Sequence, residues 1–295
     1  MNADGLVIVD KPAGLTSHDV VARVRRLAKT RRVGHGGTLD PMATGVLVIG
    51  VNRATRLLTY VIGSEKRYAG TIRLGETTVT DDADGDITAA VPADGLSDDA
   101  IRAALAAQTG DIDQVPSAVS AIKIDGRRAY KRVREGEDVE LPPRRVTVYR
   151  LDVLDIRRLP DRAVLDVDVV VECSSGTYIR AIARDAGRTL GVGGHLTALR
   201  RTAVGDFMLA EAATLAELEE QAPDVVALSV ADAARRVFPQ RTASAEEARV
   251  LCHGGPLDPA GIAGPYAVFD ASGEVLAVVS ERDGRARPDI VLAPA

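Results

Sequence analysis

The order of apolar and polar positions divides this chain into short strands and short helices. Residues 5–9 are an apolar run that predicts a buried strand, closed by the turn Asp10-Lys11-Pro12-Ala13-Gly14. Thr16 or Ser17 then caps a helix whose Val20, Val24 and Leu27 or Ala28 form an apolar stripe, with arginines on its other faces. Residues 46–51 predict a second buried strand and residues 67–74 a third, followed by an aspartate-rich loop. Residues 100–108 read as a short helix, and residues 114–121 carry no clear pattern. Residues 145–156 and 163–172 predict a strand pair, because Leu165, Val167, Val169 and Val171 alternate strictly. Residues 178–190 fit a helix that buries Ile179, Ile182, Ala186 and Leu190. Arg180, Arg184 and Arg188 recur every four residues beside that stripe and so share a face. Residues 214–221 predict a short acidic helix.

After Pro223 the composition loosens, and the stretch from Arg241 onward looks separate. It holds a helix at 245–252, Gly/Pro turns, and strands at 266–270 and 275–280. That is the size of a compact β-rich module of roughly 55–60 residues. The 295 residues suffice for one large domain plus this small one, placed at 1–236 and 237–295. No internal repeat or low-complexity tract is present.

Net charge is −5, which argues against indiscriminate nucleic-acid binding but not against a local basic face. Six basic residues (Arg23, Arg25, Arg26, Lys29, Arg31, Arg32) and no acidic one lie between Val20 and Gly34. Between Lys123 and Arg150 nine basic residues face five acidic ones, whereas residues 81–99 hold seven aspartates and no base. Such segregation suggests a polyanion on one face with acid placed elsewhere. No apolar run approaches the ~18 residues that span a bilayer, and the N-terminus is no signal peptide. Cys173 and Cys252 stand far apart, and His18, His35, His195 and His253 show no ligand spacing, so neither a disulfide framework nor a metal site is expected. A cytoplasmic monomer fits best.

The densest chemistry lies at residues 31–50, R-R-V-G-H-G-G-T-L-D-P-M-A-T-G-V-L-V-I-G. Its glycines allow backbone to approach a ligand closely, and Asp40 is presented between Pro41 and the coming strand. The loop has no G-K-[ST] ending and is not a P-loop; Gly191-Val192-Gly193-Gly194 is no dinucleotide fingerprint. Asp82-Ala83-Asp84-Gly85 is no calcium loop, since Thr80 and Val91 occupy the positions that need carboxylates. An isolated Asp before Pro is an ordinary turn residue.

Distant fragments change that reading. They are D-K-P-A-G-L-T-S (10–17), R-V-G-H-G-G-T-L-D-P-M-A-T-G-V-L (32–47), K-R-Y (66–68), R-L-G (73–75) and D-A-D-G (82–85). S-A-I-K-I-D-G-R-R-A-Y (120–130), S-G-T-Y-I-R (175–180) and L-R-R-T-A-V-G (199–205) complete the set. In order and spacing the chain resembles the TruB-type tRNA pseudouridine synthases, which act on uridine 55 of the T-loop. It departs from their pattern at Gly36, where threonine is usual, and around Val119, where an aromatic is common.

The resemblance implies an α/β (α+β) fold, a mixed, largely antiparallel sheet flanked by helices with the active cleft across it. A small C-terminal PUA-like RNA-binding module would follow. It implies that Asp40 is the nucleophile that lets uracil detach from ribose, rotate and rejoin through carbon 5. Arg180 would pair with Asp40, and Tyr68 would stack on the uracil and assist proton removal from carbon 5. His35 would fill the space left by the flipped uridine, while Tyr178 and Leu199 line the pocket. Lys11, Arg32 and Lys123 would contact substrate, with residues 23–32 and 123–134 gripping phosphates of the tRNA T-arm. No cofactor, metal or membrane is implied. The alternative is a non-catalytic tRNA-binding protein or folding chaperone, which would need the basic face but not Asp40.

Overall fold

The computed structural model describes residues 4–117 and 141–293, with the backbone of the Lys123–Ile124 and Arg127–Arg128 strands. The chain forms two compact units, one of Met1–Leu39, Val46–Ile62 and Val204–Ala295, the other of Asp40–Gly45 and Gly63–Ala203.

In the first unit the Gly5–Lys11 strand lies between the Leu228–Ser229 strand and the Thr44–Val51 strand, and Val33–His35 adds antiparallel to the latter. Successive side chains of a strand point to opposite faces, and here both faces are covered. Val7, Val9, Leu47 and Ile49 pack with Val20, Val21 and Val24 of the Ser17–Leu27 helix and with Leu215 and Leu218. Leu6, Ile8, Val46 and Val48 pack on the other side with Leu57, Val61, Ala233 and Ala234. Double coverage explains why these strands are apolar throughout rather than alternating. Thr16 caps the helix through a reciprocal box with Asp19, which fixes the point where the preceding turn ends.

The C-terminal sheet of this unit runs Gln240–Thr242, Tyr266–Phe269, Val275–Arg282, Arg285–Val291, its first pair parallel and the others antiparallel. One face buries Tyr266, Val268, Ala277 and Val279 against Leu251 of the Ala245–Cys252 helix. The other places Ala267, Phe269, Val275 and Val278 in the same core cluster as Leu6 and Ile8. The small sheet therefore shares a core with the N-terminal strands.

In the second unit five strands lie in the order Gly194–Val204, Lys66–Leu74, Val164–Cys173, Arg144–Leu159, Gly110–Gln114. The last four are mutually antiparallel, and the expected pair at 144–173 is present with Val171 opposite Leu151. Gly194–Val204 carries Thr44 and Gly45 on its other edge, in parallel register with Arg200 and Arg201. The Ile179–Thr189 helix packs on the Lys66–Leu74 strand and the Asp98–Ala106 helix. The architecture is thus a mixed, largely antiparallel α/β fold with helical flanks and a smaller C-terminal β-rich part.

Candidate active site

Asp40 begins a tight turn closed by the Ala43 amide donating to its carbonyl, 3.1 Å. Gly45 then anchors the turn on the neighbouring strand. Its φ is +99°, and a Cβ there would stand 2.2 Å from the Arg201 carbonyl oxygen. Only glycine permits that approach.

Arg180, in the first turn of the Ile179–Thr189 helix, meets Asp40 side-on. Its Nε lies 3.0 Å from Asp40 Oδ2 and its Nη2 donates to Oδ1 at 3.1 Å. Nη1 donates to the Thr80 carbonyl at 2.8 Å and lies 3.4 Å from Asp82 Oδ2. The exposures separate the roles: the side chains of Arg180 and Asp82 are 6% and 5% exposed, that of Asp40 is 35%. A buried guanidinium is tolerated when its donors are met, and two carboxylates and a carbonyl meet them here. The geometry fixes the carboxylate of Asp40 while leaving it accessible.

Asp82 is itself held by the Thr80 hydroxyl and by the Asp84 amide, 3.1 Å, and its carbonyl accepts from Thr78 Oγ1 at 2.8 Å. Asp84 accepts from the Met42 amide, and burial, then the charges of Asp82 and Asp40, push its carboxyl above the ordinary aspartate value. The aspartate-rich segment is therefore not set apart from the candidate site, as its charge suggested. Its residues 82 and 84 join it, between the Glu76–Thr78 and Ile87–Ala90 strands of a hairpin.

Tyr68 is buried on the Lys66–Leu74 strand, and Arg201 donates a hydrogen bond to its hydroxyl. Burial raises the Tyr68 phenol above its usual value, and the charge and hydrogen bond of Arg201 oppose that rise. Tyr178 caps the Arg180 helix. Its amide donates to Gln114 Oε1 at 2.9 Å and its carbonyl accepts from Gln114 Nε2 at 3.2 Å. Its phenol is raised by burial, with the Arg144 and Arg180 charges acting against this and the Asp40 charge with it. Leu199 is buried and faces Gly70 across the strands. The second unit thus brings Asp40, Arg180, Tyr68, Tyr178 and Leu199 into one strand-and-helix frame. The sequence reading passed over Asp82, Gln114 and Arg201, although Asp82 and Arg201 stand inside two of the quoted fragments.

In the first unit His35 ends the Val33–His35 strand opposite Ile49 and meets His18 edge-on, ring centroids 5.3 Å apart. Gly36 donates to the Val48 carbonyl at 2.7 Å, and a Cβ there would stand 2.8 Å from Val61 Cγ1. Where threonine is usual, Val61 fills the room. Arg32 is exposed, with its carbonyl accepting from the Asn52 amide at 2.7 Å. Lys11 is fully buried and its ammonium donates to the Pro12 and Leu15 carbonyls, 2.9 and 2.7 Å, which closes the turn ahead of the helix. The Lys123 side chain, Val119 and the rest of 118–140 lie outside the described residues. Among the described residues no cluster of His, Cys, Asp and Glu could hold a metal ion, and no helix is long and apolar enough to cross a membrane.

A family model described as "TruB family pseudouridylate synthase (N terminal domain)" matches residues 25–179. The chain belongs to the TruB family. Two further models of the family follow in order, a "tRNA pseudouridylate synthase B C-terminal domain" at 180–228 and "tRNA Pseudouridine synthase II, C terminal" at 238–293. TruB-family relatives named tRNA pseudouridine synthase B are similar along their length. That of Arthrobacter sp. (strain FB24) is 56% identical over 299 residues, covering 98% of this chain and 97% of its own. That of Thermobifida fusca (strain YX) is 56% identical over 293 residues, covering 99% of each. Among solved structures, that described as "Crystal structure of the archaeal box H/ACA sRNP Nop10-Cbf5 complex" is 25% identical with a TM-score of 0.71, over 98% of this chain and 86% of that one.

Proposed function

We propose that this TruB-family enzyme isomerises uridine 55 in the TΨC loop of tRNA to pseudouridine. That it is a uridine-isomerising tRNA enzyme rests on its family and relatives. The choice of Asp40 as the reacting group is carried by one observation, the accessible carboxylate held side-on by a buried Arg180 that is itself backed by Asp82. The carboxylate adds to the nucleoside, the N1–C1′ bond breaks, the uracil turns, C5 bonds to C1′, and the carboxylate leaves with the pair of the bond it had formed. The C5 proton then leaves, its bonding pair re-forms the C5=C6 double bond, and N1 takes a proton. Nothing is oxidised or reduced overall, so no cofactor is called for.

The remaining residues fit around this step. Tyr68 stacks on the uracil and its hydroxyl oxygen takes the C5 proton. Tyr178 and Leu199 line the pocket. The uridine must leave its stack to be reached, and His35 occupies the vacated space. Arg32 and Lys123, with the exposed basic residues between 23 and 32, contact the T-arm, whereas Lys11, expected to contact substrate, is fully buried and instead shapes the turn ahead of the helix. Residues 1–236 act as the catalytic domain and 237–295 as a PUA-like RNA-binding module, in a cytoplasmic monomer.

Release of tritium from C5 of uridine in an unmodified tRNA transcript tests the reaction. Stoichiometric release is expected, and it should vanish when uridine 55 alone is replaced by cytidine. Release that persists after that replacement would move the site elsewhere in the tRNA.

A further inference from the structure

Arg201 is the bulkiest fully buried side chain in the described structure, with a residue exposure of 1%. Burying a guanidinium is costly, so its surroundings call for a reason. The Gly194–Val204 and Lys66–Leu74 strands are neighbours. Side chains two apart on a strand share a face. A Cβ on Gly70 would lie 3.4 Å from Leu199 Cδ1, so Lys66, Tyr68 and Gly70 of one strand face Leu199 and Arg201 of the other. On that face Arg201 donates to the Tyr68 hydroxyl.

We infer that Arg201 is a positioning residue for the last chemical step, holding the Tyr68 oxygen in place and supporting negative charge on it as it takes the C5 proton. The inference rests on the role proposed above for Tyr68. The balance is simple. Tyr68 as phenolate accepts the proton from C5, the C5–H pair becomes the C5=C6 bond, the C6=N1 pair moves to N1, and N1 takes a proton from water. The phenol returns its proton to water before the next turnover. Burial works against the phenolate, and the Arg201 charge works for it. Lys66, on the same face, is a second basic side chain whose ammonium donates to the Ser64 carbonyl.

Single-turnover kinetics on tRNA carrying uridine, 5-deuterouridine or 5-fluorouridine at the target separate this step from the earlier ones. Fluorine cannot leave C5 as a cation, so the fluorinated base rearranges without needing the proton acceptor. Tyr68→Phe and Arg201→Met should each slow the uridine reaction by about tenfold or more and enlarge its C5 isotope effect. Rearrangement of 5-fluorouridine should stay within about twofold of wild type for both. Arg201→Met should also move the rise in rate with pH to higher pH, and Arg201→Lys should recover part of the loss. Arg201→Lys added to Tyr68→Phe should slow it no further. Should Arg201→Met fail to fold, the Lys double-mutant cycle decides. Equal slowing of fluorinated and normal substrates by Arg201→Lys, or a full additive loss in the Tyr68→Phe background, overturns the inference. A Tyr68→Phe variant with wild-type rate and isotope effect overturns the role of Tyr68 itself, whereas a Tyr68→Phe defect unmatched by Arg201 overturns the inference alone.

Discussion

Removing the Asp82 charge would leave Arg180 buried with one carboxylate fewer and free to tilt its fork away from Asp40. Asp82→Asn is expected to cost about 3 kcal/mol, about a hundredfold in single-turnover rate if all of it falls on the transition state. A rate within a few-fold of wild type would make Asp82 a bystander. Lys66 supplies a test by pH. Burial, and after it the Arg201 charge, lower its ammonium from 10.5 to about 8. Between those values the unfolded chain holds a proton that the folded one has lost, so this group lets stability rise with pH across the window, its penalty being full below about 8. The stability of Lys66→Met minus that of wild type should therefore fall from about pH 7 to about pH 9.5 in urea melts. A difference constant with pH would contradict the assignment. Asp40, Tyr68 and Arg180 were nameable as candidates because the family resemblance gives each of them a role. Asp82 and Arg201 were not, because an aspartate in an acidic loop and one arginine of an Arg-Arg pair acquire their meaning only from partners on other elements.

At the scale of elements, local chemistry was the better guide. The Ala245–Cys252 helix begins where Ser244 and Glu247 form a capping box, and the sequence reading placed both of its ends correctly. The Gly194–Val204 strand escaped notice because Arg201 stands at a buried position and breaks the apolar alternation that marks a strand. The sequence predicts a loop where the Glu76–Thr78 and Ile87–Ala90 strands form a hairpin, because Ile87–Ala90 is exposed throughout and presents no buried apolar face. The basic residues at and just after the end of the Ser17–Leu27 helix are of two kinds. Arg25 Nη2 donates to the Val33 carbonyl at 3.0 Å, whereas the exposed Arg26 and Lys29 line an open groove of about 360 Å³. Arg26→Ala with Lys29→Ala should weaken tRNA binding and reduce the slope of log affinity against log salt by about 1 for each phosphate no longer neutralised. An unchanged slope would place the RNA on another surface.

For the molecule as a whole, the size of the C-terminal stretch suggested a module that could stand alone, but its packing binds it to the rest of its unit. Ala267, Phe269, Val275 and Val278 share a core cluster with Leu6, Ile8, Val46 and Val48. Arg53 and Arg56 also donate to the Leu292 and Val291 carbonyls. Ending the chain after Phe238 would expose that apolar face, at a cost of about 25 cal/mol per Å² uncovered. The truncated protein should therefore melt well below the full chain and bind a hydrophobic dye before it unfolds. Melting at the wild-type temperature would show that the two parts are energetically independent. The central claim, that Asp40 does the chemistry in a site whose RNA grip lies elsewhere, is met most directly by Asp40→Asn. Pseudouridine formation should be abolished in single-turnover assays while tRNA affinity stays within a few-fold of wild type. Product formed at a sizeable fraction of the wild-type rate would contradict the account.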